Sequence, residues 1–124
     1  MTIANAIPVS PSGLALGAQP PQPALACNSA AISTPERARY NGLMRKIKSA
    51  VRHQHHLPDG YAWQLDGAVA TMPEVAEWMS MERRCCPFLT LQLEAAGGGM
   101  DFAVKLTGPD GVKAFLGSEF GIGN

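Results

Sequence analysis

Cys85 and Cys86 are neighbours in the run Glu82-Arg83-Arg84-Cys85-Cys86-Pro87-Phe88. Two thiols, a carboxylate one helical turn earlier, two guanidinium groups and a proline stop share this one short run. These residue types point to thiolate chemistry. Cysteine sulfur prefers zinc, copper(I) and similar thiophilic ions, and the thiolate is also the nucleophile of redox chemistry. Adjacent Cα atoms stand about 3.8 Å apart, whereas a disulfide spans about 4.4–6.8 Å. A bond between Cys85 and Cys86 themselves is therefore disfavoured, and convergence of both sulfurs on one soft ion needs less distortion. Glu82 precedes the pair by three and four residues, on the same face of a helix. It can accept a thiol proton or stand behind the ligands as an outer partner. Arg83 and Arg84 favour the thiolate, while the negative end of the helix dipole opposes it.

Cys27 is the third sulfur. Three sulfurs suit a trigonal soft-metal site, and a histidine would complete a tetrahedral zinc site. The candidate metal set is thus Cys27, Cys85 and Cys86, with Glu82, Arg83 and Arg84 around it and Zn2+ or another thiophilic metal or metalloid ion as occupant. Three alternatives compete with it: a cysteine redox enzyme or sensor, a homodimeric interaction module without catalysis, and cysteines that pack as small hydrophobes. His53, His55 and His56 read as residues at a helix C-terminus, where the dipole accounts for them. Gly108-Pro109-Asp110-Gly111 lacks the Gly-Lys-Ser/Thr element of a phosphate loop. No dinucleotide fingerprint or H-E-x-x-H motif is present, so no organic cofactor is expected.

The elements that must position these residues follow from periodicity. Thr34 as cap, Pro35 and Glu36 open a first helix, continued by Tyr40, Leu43, Met44, Ile47, Ala50 and Val51 to about residue 55. Leu57-Pro58-Asp59-Gly60 turns into a strand carrying Tyr61, Trp63 and Leu65. Thr71 and Glu74 have capping-box spacing for a second helix, whose face runs Val75, Trp78, Met79, Glu82, Cys85, Cys86 and which Pro87 ends. Leu89, Leu91 and Leu93 give one strand and Phe102, Val104 and Leu106 the next, joined through Gly97-Gly98-Gly99. A last helix carries Val112, Phe115 and Leu116. The expected fold is α+β, in the order α-β-α-β-β-α, with helices packed on a mixed three-stranded sheet whose open face is covered by the first helix or by a second subunit in a homodimer.

The chain has 124 residues, enough for one domain, here 27–124, preceded by a disordered proline-rich tail over 1–26. Ten lysines and arginines balance ten aspartates and glutamates, although six of the cations (Arg37, Arg39, Arg45, Lys46, Lys48, Arg52) fall between 37 and 52. That face reads as solvated, with neither nucleic acid nor membrane as partner. Ala24-Leu25-Ala26-Cys27 has the look of a lipoprotein cleavage site, but residues 1–26 contain no lysine or arginine. An odd cysteine count with two neighbours suits reduced thiols in a cytoplasmic protein.

The chain resembles a group of small uncharacterised bacterial proteins. The likeness rests on Cys27 near the start, the basic first helix, Leu57-Pro58-Asp59-Gly60-Tyr61, the Glu82 to Phe88 segment, and the Thr107-Gly108-Pro109-Asp110-Gly111 turn. It spans about residues 27 to 117. It implies the limits of the domain and makes Cys27 a partner of the pair, without implying an activity.

Overall fold

The computed structural model of the protein describes residues 28–121. The tail expected over 1–26 and Cys27 lie outside the described residues. Helices α1 (Thr34–Ala50), α2 (Met72–Cys85) and α3 (Val112–Glu119) accompany strands β1 (Val51–Leu57), β2 (Gly60–Leu65), β3 (Thr90–Glu94) and β4 (Phe102–Thr107). The class is α+β as expected, and two details of the expectation are corrected.

The first correction is the end of α1. The helix stops at Ala50, and Val51 to Leu57, including His53, His55 and His56, form an added strand. This segment pairs antiparallel with β2, through a hairpin that turns at Pro58 and Asp59, from Leu57 opposite Gly60 to Val51 opposite Leu65. Strand pairing satisfies the backbone of the whole segment and covers an edge of β2 that a longer helix would leave bare.

The second correction concerns the sheet, which has four strands in the order β1-β2-β4-β3, antiparallel throughout. The strands flanking α2, β2 and β3, run in the same direction, yet they are not neighbours because β4 lies between them. Gly60 is required at this junction: a Cβ there would stand 1.8 Å from the Leu106 carbonyl oxygen.

Both long helices start where a side chain closes the first turn. Ser33, one residue before the expected cap, accepts from the Glu36 amide, and the Glu36 carboxylate accepts from the Ser33 amide. Thr71 and Glu74 repeat the arrangement for α2. Each box satisfies helix-end amides that would otherwise lack partners.

Tyr61, Trp63 and Leu65 of β2 and Phe102, Val104 and Leu106 of β4 are buried on one face of the sheet. Leu43, Met44, Ile47 and Ala50 of α1, Val75 and Trp78 of α2, and Val112 and Leu116 of α3 join them in one core. The opposite face carries Ala62, Gln64, Ala103, Lys105, Gln92 and Glu94 and is only partly covered. Helices α1 and α2 run antiparallel, as their ion pairs require: Glu36 at the start of α1 meets Arg84 at the end of α2, and Lys46 late in α1 meets Glu74 early in α2. Arg39 pairs with Glu77 between them. Exposed pairs of this kind contribute about 0–1 kcal/mol each, so they set the register of the seam while its apolar side holds it. No helix among the described residues is long and apolar enough to cross a membrane.

Candidate functional site

Val75, Trp78, Glu82 and Cys85 recur along the buried stripe of α2 at steps of three and four. Pro87 ends the helix. Cys86 takes the cap position with φ −126° and ψ 74°, and its amide donates to the Glu82 carbonyl at 2.7 Å. The Leu89 amide then donates to the Cys86 carbonyl, and the Asn28 amide donates to the Cys85 carbonyl at 2.8 Å. The entry segment of the domain is thereby tied to the end of α2.

The two neighbouring cysteines are in different chemical states. Cys86 is fully buried and disulfide-bonded. Cys85 is 5% exposed and carries a free thiol. They are not joined to each other, and the expectation of reduced thiols does not hold at Cys86. Among the described residues, no cluster of three or more histidine, cysteine or acidic side chains is placed to hold a metal ion.

Glu82 is fully buried, on the same face as Cys85. Its Oε1 accepts a 2.6 Å hydrogen bond from the Tyr40 hydroxyl of α1, while Oε2 is buried with no hydrogen-bond partner among the described residues. Burial pushes the Glu82 carboxyl above its ordinary value, against the pull of the Tyr40 bond. Burial, reinforced by the charge of Glu82, also raises the Tyr40 phenol. The Cys85 thiol is raised by burial first and by Glu82 second, while Arg84 and Arg37 pull the other way. Burial thus disfavours the charged form of all three groups. A raised carboxyl is a stronger base once it ionises, and a thiolate of high pKa is the more nucleophilic once it forms.

Cys85 also opens onto a cavity of about 140 Å³ between the entry segment, α1 and the end of α3, shared with Ser29, Ile32, Arg37, Tyr40, Asn41 and Glu119. Arg37 reaches from α1 to donate to the Ser29 carbonyl at 2.8 Å. Sequence reasoning found Cys85, Cys86 and Glu82 but missed every wall from α1 and α3. Periodicity places Tyr40 on the α1 face, and no local signal ties it to an acid 42 positions away. Arg84 is occupied at the surface by Glu36 at 2.8 Å. Arg83 lines a separate surface recess with Ser80, Pro87 and Leu89. The histidines lie on edge strand β1, with His56 against Tyr61, centroids 5.2 Å apart. Comparison of the chain with protein-family models, with curated proteins and with solved structures gives no match.

Proposed function

We propose that this chain is a thiol–disulfide redox protein, an enzyme or sensor whose reactive unit is the end of α2. The observation that carries this is the pairing of unlike states on consecutive residues: a free thiol at Cys85 and a disulfide sulfur at Cys86, with a buried acid one turn before them. A small thiolate attacking the Cys86 disulfide forms a mixed disulfide and releases the other sulfur as a thiolate. A second small thiol then releases the small disulfide and leaves both protein sulfurs reduced. The test is alkylation and intact mass across a series of thiol–disulfide redox buffers. Cys85 should be labelled without reductant, and Cys86 should become labelled at a defined potential while the chain stays folded. A Cys86 disulfide that opens only on unfolding refutes the redox reading.

A second reading is favoured by the adjacency of the sulfurs and the unpartnered oxygen of Glu82. In the reduced chain, Cys85, Cys86 and Cys27 would hold a soft metal or metalloid ion, with Glu82 as proton acceptor. Native mass spectrometry of reduced protein with Zn2+, Cu+ and Hg2+ tests it. Equal retention after Cys85→Ala plus Cys86→Ala excludes it. The homodimer expected from the sequence would use the open face of the sheet, and sedimentation equilibrium measures it.

A further inference from the structure

We propose that the cavity beside Cys85 binds one half of a small zwitterionic aminothiol disulfide, of the size of a cysteine disulfide, and that Cys85 forms a mixed disulfide with that half. This rests on the redox reading above and names the ligand class for it. The charges of the walls carry the proposal. Arg37 comes from α1 and Glu119 from the end of α3, so a guanidinium and a carboxylate line one cavity whose reacting group is a free thiol. Nη2 of Arg37 is committed to the Ser29 and Ile32 carbonyls. A guanidinium has five N–H donors, so others remain for a carboxylate. Glu119 offers the matching acceptor for an ammonium group, and Ser29 and Asn41 add neutral polar groups.

The volume limits the ligand. At about 30 Å³ per water in the liquid, 140 Å³ holds four or five waters, close to one cysteine-sized half and well short of a tripeptide thiol. Glu82, one turn before Cys85 on the same helix face, is the proton acceptor: its buried Oε2 is unpartnered among the described residues, and Oε1 is held by Tyr40, itself a wall of the cavity. The groups acting on the thiol are Glu82 and Arg84 from α2, Arg37 from α1 and Glu119 from α3.

The step balances without another oxidant. Glu82 carboxylate takes the Cys85 proton, and the thiolate attacks one sulfur of the incoming disulfide. A Cys85–ligand S–S bond forms, the ligand's own S–S bond breaks, and the departing half leaves as a thiolate that is protonated from water. Cys85 is oxidised and the departing half is reduced.

The test uses the oxidised full-length chain with cystine, cystamine and glutathione disulfide, read by intact mass, with iodoacetamide as a small neutral control. Cystine should modify Cys85 about tenfold faster than glutathione disulfide. Arg37→Gln removes a charge-assisted bond of roughly 1.5–3 kcal/mol, so the ratio of the cystine rate to the iodoacetamide rate should fall about tenfold or more. Glu119→Gln, which leaves the Ser29 and Ile32 contacts of Arg37 in place, should lower the same ratio for cystine and for cystamine. Equal rates for cystine and glutathione disulfide, or unchanged ratios in both variants, overturn the proposal. A chain whose Cys86 reduces reversibly but whose Cys85 takes no cystine refutes the site and leaves the redox reading. An adduct at Cys85 with Cys86 irreducible in the folded chain supports the site and refutes that reading.

Discussion

Tyr40→Phe is the sharpest perturbation of the buried acid, because it deletes one oxygen and leaves the ring in place. The hydroxyl donates to the fully buried Glu82 carboxyl at 2.6 Å, its single hydrogen bond among the described residues. Bonds to charged groups contribute about 1.5–3 kcal/mol, so a loss of about 2 kcal/mol is expected at pH values where the folded carboxyl is ionised. At about 4–8 °C per kcal/mol for a domain of this size, the melting temperature should drop by about 8–16 °C. The pH dependence has a definite sign. The folded carboxyl is raised above its unfolded value of 4.5, so the stability that comes from keeping it protonated is fully present below 4.5 and is lost as pH rises through the folded value. Tyr40 is the group pulling that value down, so in the variant the loss should start from the same 4.5 but continue to higher pH and grow larger, because the carboxyl then ionises without its donor. Near pH 4 only a neutral bond is missing, and the penalty should shrink to about 0.5–1.5 kcal/mol. Glu82→Met alone strands the Tyr40 hydroxyl, whereas the double variant removes both polar groups and should cost less than the two single changes combined. Urea denaturation of the oxidised protein at several pH values measures all of this. A Tyr40→Phe variant within about 0.5 kcal/mol of the parent at every pH measured, or strictly additive single changes, would refute the reasoning.

Iodoacetamide labelling of Cys85 should be slow at neutral pH and accelerate as pH rises past the ordinary thiol range, because burial and Glu82 hold the thiol up. Glu82→Gln should move that profile to lower pH, and an unmoved profile rules out the coupling. At the acid side, Glu36 is held at about 2 by Arg84 and Ser33, and Glu74 at about 2 by Lys46 and Thr71. Both contributions are present above 4.5 and are lost as pH falls toward 2, so Arg84→Gln should flatten the acid limb of a pH–stability curve. Gly60→Ala should destabilise by at least about 2 kcal/mol, since the added Cβ would stand 1.8 Å from the Leu106 oxygen; thermal melting checks it.

What the sequence made legible was local. The Thr71–Glu74 box, the Pro87 stop and the shared face of Glu82 and Cys85 depend on spacings of three and four, which the α2 backbone enforces. The end of α1 was misread because Val51-Arg52-His53-Gln54-His55-His56-Leu57 lacks a clean two-residue alternation. Its burial repeats every third residue, and a register irregularity falls at Arg52. It is a strand because β2 is there to pair with it. The same reasoning explains the site. Glu82 and the cysteines are one turn apart, but Arg37, Tyr40 and Glu119 reach them only through packing of α1 and α3, which no periodicity records.

The position of β4 bears on how this chain acquires its chemistry. The strand that completes the sheet centre is the last strand in sequence, inserted between the two that flank α2. Until Phe102–Thr107 arrives, β2 and β3 each keep an open edge, and the helix between them has no continuous apolar floor to lie on. Glu82 stays hydrated and ordinarily acidic in that interval, and Cys85 is an ordinary exposed thiol. The closing of the sheet is therefore also the event that takes Glu82 and Cys85 out of water.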